Sequence, residues 1–323
     1  MTPTTDHPIG VLLMAYGTPE TPDQVEAYFT HIRGGRKPSP ESVAHLRERY
    51  ERVGGRTPLL QITDEVARKL EARLNEGDDA GRYRVYVGMK HWHPYIGDVL
   101  ERMAADGITC VVALALAPHY SRISIGGYRK AVDEAQERLG HPFDVTFVDR
   151  WHDHPGFRDL IAGLVREALQ RFPPDVRDRV TVVFSAHSLP ARIRDWDDPY
   201  ERELIESSSA VAERAGVRDW QFAFQSESAT GEPWLGPDIL TALEELPDEG
   251  KRHVLQVPIG FVSDHLEILY DIDVEAREKA AELGMTFHRT ELPNARDQFI
   301  DVLASIVTAQ AGVAGQPAAQ PAS

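Results

Sequence analysis

Short apolar runs alternate along the chain with longer segments of helical periodicity. Eight of these runs are predicted to be strands, because they are brief, rich in β-branched and aromatic residues, and bounded by turn-forming residues. Their apolarity is continuous rather than alternating, which is typical of parallel strands covered on both faces. The predicted strands span 9–15, 83–88, 110–117, 144–149, 180–185, 220–225, 253–258 and 285–288.

Four predicted strands precede residue 150 and four follow it. The alternation predicts an α/β fold of two similar Rossmann-like domains around a cleft, each with a four-stranded parallel sheet flanked by helices. We expect domains over 1–150 and 151–308, with a terminal helix over 295–308 and a disordered Ala/Gly/Pro/Gln tail over 309–323. The other predicted helices span 62–75, 96–106, 124–139, 157–171, 200–215 and 274–283.

Polar side chains follow most of the predicted strands. Tyr16 comes after the first strand, His91 after the second and His187 after the fifth, and Ser263 to Glu267 follows the seventh. Ligands of an open parallel sheet bind at the carboxyl ends of its strands. One such histidine is usually a buried structural residue, but this many imidazoles, phenols and carboxylates together favour a polar cleft.

Three carboxylates form a stripe just after the seventh predicted strand. In an α-helix Glu267, Asp271 and Glu275 would lie at i, i+4 and i+8, where like charges cost a few tenths of a kcal/mol per pair. Carboxylates with a nearby imidazole suit a hard or borderline divalent cation such as Fe²⁺ or Mg²⁺. A plain solvated acidic face remains the alternative interpretation.

Composition excludes several function classes. The net charge of −16 argues against a nucleic-acid surface, although positions 31–56 carry seven basic and three acidic residues, an excess that a solvated helix face also explains. Neither a glycine-rich phosphate loop nor Gly-x-Ser-x-Gly occurs, which disfavours a nucleotide site and a serine hydrolase.

The one cysteine, Cys110, lies in an apolar run and excludes a cysteine-ligated iron–sulfur cluster within one chain. Without a signal pattern or an apolar run of about 18 residues, we expect a cytoplasmic protein that binds neither membrane nor nucleic acid.

Four motifs together resemble the signatures of the ferrochelatase family. They are LLMAYGTP at 12–19, SAHSLP at 185–190, WLGPD at 234–238 and FVSDHLEILYD at 261–271. The likeness runs in order from about Ile9 to about Ile306. It implies a chelatase-like fold with a porphyrin cleft between the two domains, and insertion of ferrous iron into the porphyrin.

The resemblance also assigns roles to residues. It implies that His187 and Glu267 are catalytic and bind the metal, facing each other across the macrocycle, and that His187 accepts a pyrrole proton while titrating near the usual 6.5. It implies an outer metal site for Mg²⁺ or Fe²⁺ at His91, Asp271 and Glu275. The residues implied to bind the porphyrin are Tyr16, Arg33, Arg49, Tyr50, Thr57 and Tyr128.

Tyr16 narrows the class, because it resembles the tyrosine of Gram-positive-type coproporphyrin III ferrochelatases that approaches the metal from the face opposite the histidine. The excess of arginine over 31–56 fits a substrate with four propionates, since Arg offers paired donors to carboxylates. Two positions depart from the family pattern. Thr57 replaces a serine and keeps the hydroxyl, and His93 replaces an acidic residue.

The expected activity is therefore insertion of Fe²⁺ into coproporphyrin III to give coproheme, with no organic cofactor and no iron–sulfur cluster. We expect a monomer that passes its product transiently to a coproheme-decarboxylating enzyme. Four alternatives stay open at this point: a protoporphyrin IX ferrochelatase, a chelatase for another tetrapyrrole and metal, a non-catalytic porphyrin or haem carrier, and, more remotely, a hydrolase.

Overall fold

Two four-stranded parallel sheets form the centre of the protein. A computed structural model describes residues 8–227 and 231–314. The first sheet has the strand order β2-β1-β3-β4 and the second repeats it as β6-β5-β7-β8. The strands are β1 (Ile9–Ala15), β2 (Tyr83–Met89), β3 (Cys110–Ala115), β4 (Asp144–Val148), β5 (Val180–His187), β6 (Trp220–Gln225), β7 (His253–Val257) and β8 (Thr286–Arg289). The predicted fold class is confirmed.

Helices connect and cover the strands. They are α1 (Val25–Ile32), α2 (Pro40–Arg52), α3 (Leu59–Leu74), α4 (Ile96–Ala105), α5 (Ile125–Leu139), α6 (Pro155–Leu169), α7 (Tyr200–Ala215), α8 (Ile239–Glu245), α9 (Arg277–Glu282) and α10 (Asp297–Ala314). A π-helix, Ile268–Ala276, precedes α9. Among the described residues, no helix is long and apolar enough to cross a membrane.

The strand order positions the site. In each sheet the first strand is interior, with its successors on opposite sides, so the chain reverses direction across the sheet beside that strand. Open α/β sheets bind ligands at this switch point. Tyr16 directly follows β1, and His187 is the last residue of β5, which ends two residues later than predicted.

Two predicted elements are wrong in detail. The acidic stripe lies on the π-helix, which begins well before the predicted start of the helix at 274. Helix α10 continues to Ala314, so 309–314 is helical rather than a disordered tail. Alanine is a strong helix former, and Ala311 is buried in the core, which favours the extra turns. The rest of the predicted tail, 315–323, lies outside the described residues.

The largest hydrophobic cluster joins the two halves of the chain. It contains side chains from β1 and β5, such as Leu13 and Phe184, together with Phe157 of α6 and Leu303 of α10. Helix α10 packs on α3 of the first half and on α6. The division near residue 150 stays a prediction.

Gly260 allows the turn after β7 to approach the end of β5. A Cβ at this position would lie 2.5 Å from the Ala186 Cβ and 3.0 Å from the Ala186 Cα. The Gly260 N–H also donates to the Ser185 carbonyl at 3.2 Å. Any side chain here would therefore push against the backbone next to His187.

We predict that Gly260→Ala lowers the free energy of unfolding by about 1–3 kcal/mol, the usual cost of overpacking. Urea unfolding measures the change. Gly163→Ala in α6 is the matched control, because its Cβ would meet nothing closer than an Arg166 nitrogen at 3.9 Å. The control should be neutral or stabilising by up to about 1 kcal/mol. Equal stability of Gly260→Ala and wild type would show that the contact is not tight.

Candidate active site

The carboxylate of Glu267 and the imidazole of His187 form an ion pair in the cleft. His187 Nε2 lies 3.4 Å from Glu267 Oε1, and the two side chains are 31% and 26% exposed. His187 Nδ1 donates to the Ser188 carbonyl, which leaves Nε2 facing the carboxylate. The pair is therefore held by protein on one side and open to a ligand on the other.

The implied placement of these two residues on opposite faces of a macrocycle is wrong for this structure. A flat ring between two side chains needs two van der Waals contacts, or about 7 Å in all. The 3.4 Å between His187 and Glu267 leaves no such space. Both groups therefore approach a bound ring from the same side.

Glu267 also changes the titration of His187. Burial alone would lower the pKa of His187, but the charge of Glu267 and the hydrogen bond to it outweigh burial and raise the pKa to about 9. The expected value near 6.5 is therefore wrong in this environment. At neutral pH the free protein holds an imidazolium against a carboxylate.

A second histidine, His265, contacts the same carboxylate and was not singled out from the sequence. His265 Nε2 lies 3.5 Å from Glu267 Oε2, and its Nδ1 donates to the Ser263 carbonyl at 2.9 Å. Burial favours a neutral Glu267, yet the two imidazoles hold its pKa well below the usual range. The signal that could have found His265 is its position two residues before Glu267 at a strand end.

Buried amides and hydroxyls hold the pair in place. Gln225 Nε2 donates to the Glu267 carbonyl at 3.2 Å, and Gln225 Oε1 accepts from Ser185 Oγ at 2.9 Å. Gln225 and Ser185 are fully buried. The Tyr200 hydroxyl donates to the His187 carbonyl at 3.0 Å. These bonds fix the end of β5 and the start of the π-helix relative to each other.

Three phenols face this charge from the first half of the chain. Burial raises the pKa of Tyr16, Tyr50 and Tyr128, and the negative charge of Glu267 adds to each shift. Tyr16 is the most accessible of them at 41% exposed. Helix α2, which carries Tyr50, also contacts the π-helix through Arg49 and Asp271.

Tyr50 and Thr57, two of the residues expected to bind the porphyrin, are buried, and both contact Thr18. The Thr18 hydroxyl lies 2.9 Å from the Tyr50 hydroxyl and 3.1 Å from that of Thr57. The hydroxyl of Thr57, at the position where a serine was expected, therefore takes part in a hydrogen bond. Thr18 follows Tyr16 in the first motif but was not predicted as a site residue.

Tyr128 and Arg33 differ in their surroundings. Tyr128 is buried, and the Lys90 ammonium lies 5.0 Å from its ring centroid. Burial lowers the pKa of Lys90 to about 8. Arg33 is exposed at the end of α1, with its guanidinium 5.8 Å from the Phe29 ring. Lys90 is a cation of the cleft that the sequence did not identify.

Asp271 is buried beside Glu267 and is neutralised by Arg49. It accepts from the Arg49 guanidinium and from Ser226 Oγ, and its side chain is 6% exposed. Burial raises the pKa of Asp271 to about 6, with Arg49 opposing and Glu267 adding to the shift. Arg49 also lies over the Tyr270 ring at 4.6 Å. Its expected role at the porphyrin stays a prediction.

The structure does not bring the predicted outer metal ligands into one group. Glu275 is half-buried, and its charge also acts on Asp271. His91 instead lies against Tyr16, with ring centroids 4.5 Å apart, and burial lowers the pKa of His91 to about 3. Within 8–227 and 231–314, no group of three or more His, Cys, Asp and Glu side chains is arranged to hold a metal ion.

We predict that Glu267→Gln lowers the pKa of His187 well below about 9, because the charge of Glu267 is the largest effect that opposes burial there. Because the folded-state pKa of His187 lies above its unfolded value, protonation of His187 stabilises the fold. This contribution is complete below about pH 6.5 and is lost as the pH rises through about 9. NMR titration of the His187 ring measures the shift. Glu275→Gln is the control and should leave the pKa near 9. Titration near 9 in Glu267→Gln would assign the shift to another group.

Comparison with known proteins agrees with this architecture. The ferrochelatase family model matches residues 8–311. A protein named ferrochelatase from Herpetosiphon aurantiacus is 54% identical over 93% of this chain and 98% of its own. The coproporphyrin III ferrochelatase of Bacillus subtilis is 43% identical over 94% of this chain and 98% of its own.

Solved chelatase structures share the fold at low sequence identity. SirB from Bacillus subtilis with Fe³⁺ superposes with a TM-score of 0.61 at 11% identity, covering 96% of this chain and 98% of SirB. This likeness concerns the two-sheet architecture alone. Because the family model matches nearly the whole chain and the relatives are this similar, the chain belongs to the ferrochelatase family.

Proposed function

We propose that this protein inserts ferrous iron into coproporphyrin III to give coproheme. The observation that carries the proposal is the His187–Glu267 pair, which shares its cleft with Tyr16 of the other half. Relatives named coproporphyrin III ferrochelatase, from Bacillus subtilis and Geobacillus kaustophilus, are 43% and 44% identical. They support this substrate over protoporphyrin IX.

Insertion replaces two pyrrole protons with one Fe²⁺, so the cleft must receive protons as well as the metal. His187 can accept a pyrrole proton only after it has released the one that Glu267 helps it to hold. The arrival of a divalent cation at Glu267 disfavours the imidazolium by like-charge repulsion. Metal entry thus converts His187 from an ion-pair partner into a base, and Glu267 provides the first anionic contact for the iron.

Tyr16 contributes from the other half of the cleft. Like any tyrosine with an ordinary or raised pKa, it is neutral at physiological pH, so its oxygen can offer a lone pair to the metal without adding charge. With His187 and Glu267 on one side, Tyr16 is the group available on the opposite face of a bound ring. The resemblance likewise implies that Tyr16 approaches the metal from the face opposite His187.

The propionates would meet cations near the mouth. Arg33 is exposed, and Lys90 lies beside Tyr128. Arginine binds carboxylates through paired hydrogen bonds, which suits a substrate carrying four of them. We further propose that the chain acts as a cytoplasmic monomer and that the coproheme product passes to an enzyme that decarboxylates its propionates.

Asp271 and Glu275 would guide the cation to Glu267. Arg49 now neutralises Asp271, and Arg49 Nε is buried without a hydrogen-bond partner. A hydrated Fe²⁺ could take over this neutralisation while Arg49 moves aside. Support for this path comes from the mutual repulsion of Glu267, Asp271 and Glu275, which a divalent cation relieves.

Anaerobic Fe²⁺ insertion with coproporphyrin III and protoporphyrin IX tests the function. We expect faster turnover with coproporphyrin III, and loss of about 10²–10⁴-fold in kcat for His187→Ala, the usual contribution of a general base. His45→Ala, an exposed histidine of α2, is the control and should retain activity. Preference for protoporphyrin IX would overturn the substrate assignment, and normal insertion by His187→Ala would overturn the role of the pair.

The metal path predicts a split between kinetic constants. Asp271→Asn should raise the KM for Fe²⁺ by about tenfold or more while changing the KM for coproporphyrin little, because in the proposed path Asp271 contacts the metal and not the porphyrin. Steady-state assays with each substrate varied in turn measure the split. An equal rise in both KM values would assign Asp271 a structural role instead.

A further inference from the structure

Two imidazoles meet beside Tyr16, apart from the His187–Glu267 pair. His31 lies in the last turn of α1, and His91 is the second residue after β2. Their Nδ1 atoms are 3.2 Å apart, and their rings are inclined by 73°. Without a metal, one Nδ1 donates its proton to the other.

The same separation suits two ligands of one metal ion. Imidazole nitrogens bind ions such as Zn²⁺ at about 2.0–2.1 Å, which sets them about 2.9 Å apart at a right angle and about 3.4 Å apart at the tetrahedral angle. The observed 3.2 Å between His31 and His91 falls within this range. The spacing of the two nitrogens is therefore compatible with both binding one metal ion.

Neighbouring groups hold both rings in this arrangement. His31 stacks on Tyr95 with ring centroids 4.8 Å apart and an interplanar angle of 23°. The His91 backbone N–H donates to the Tyr16 carbonyl at 2.9 Å, and its ring packs 4.5 Å from that of Tyr16. His31 is exposed, so the pair is open to solvent. Rigid, accessible ligands lose little entropy when they bind.

The location links the pair to the cleft. Tyr16 lies beside His91 and within the electrostatic influence of Glu267. Because Tyr16 packs against His91, a cation held by His31 and His91 would lie beside Tyr16. Asp271 and Glu275 approach Glu267 along the π-helix instead, so the two imidazoles mark a different position.

We propose that His31 and His91 form a two-ligand docking site for a borderline divalent cation, such as Fe²⁺, Co²⁺ or Zn²⁺, beside Tyr16. Water completes the coordination, because the described residues supply no group of three or more His, Cys, Asp and Glu ligands. Two protein ligands give exchangeable binding, which suits delivery rather than storage. The donor imidazole moves its proton from Nδ1 to Nε2 through solvent, so no net proton is released.

The site deepens the proposed function by naming a place where iron pauses, yet its binding needs no porphyrin. We would titrate the full chain with Co²⁺ alone and follow the imidazole signals by NMR. The His31 and His91 signals should respond together. In His31→Ala the His91 response should need about tenfold more Co²⁺ or greater, because the second ligand's effective concentration is lost. His45→Ala, an exposed histidine of α2, is the matched control and should behave like wild type.

Two results would overturn the site. One is that the His31 and His91 signals stay unchanged while those of His187 respond. The other is that His31→Ala leaves the His91 response as in wild type. Neither bears on iron insertion, which the porphyrin assay measures separately, so failure of the docking site and failure of the proposed function are distinguishable.

Discussion

The charge of one carboxylate organises the cleft. Glu267 stays ionised although burial opposes its charge, because His187 and His265 both contact it. The same charge raises the pKa of His187 to about 9 and acts on Tyr16 across the cleft. Glu267 is therefore a preformed anionic contact, and under the proposed mechanism a cation that binds there would release His187 as a base.

The fold makes this arrangement by repeating one sheet order twice. The interior strands β1 and β5 each end at the switch point of their sheet, and each supplies a residue there, Tyr16 and His187. A hydrogen bond from Gln225 then holds the backbone of Glu267, the residue directly before the π-helix. π-Helical turns are rare overall, but those that occur often lie at functional sites. Here the turn directs Glu267 and Asp271 toward one buried region.

The sequence predicted what depends on local pattern. Continuous apolar runs identified the eight strands of the described residues. The strand-end rule predicted that Tyr16, His187 and Glu267 lie in one cleft, and their roles there stay a prediction. The sequence pattern could not predict the π-helix, because acidic residues spaced four apart fit α-helical and π-helical turns alike. The Arg49–Asp271 pair joins positions 222 residues apart, and the His31–His91 pair joins positions 60 apart, so neither leaves a local signal. The alternation of elements predicted the correct fold class. Helix α10 continues past its predicted end because Ala311 is buried in the core, which the composition of the segment does not indicate.

The central claim is that a cation at Glu267 displaces the proton that this carboxylate holds on His187. Calorimetry of Co²⁺ binding at pH 7.5, in buffers of different ionisation enthalpy, counts the protons released. At saturating Co²⁺ the wild-type protein should release about one proton more per chain than His187→Ala does, because the variant lacks the imidazolium of His187. Metal binding without proton release in the wild type, or equal release by both proteins, would contradict it.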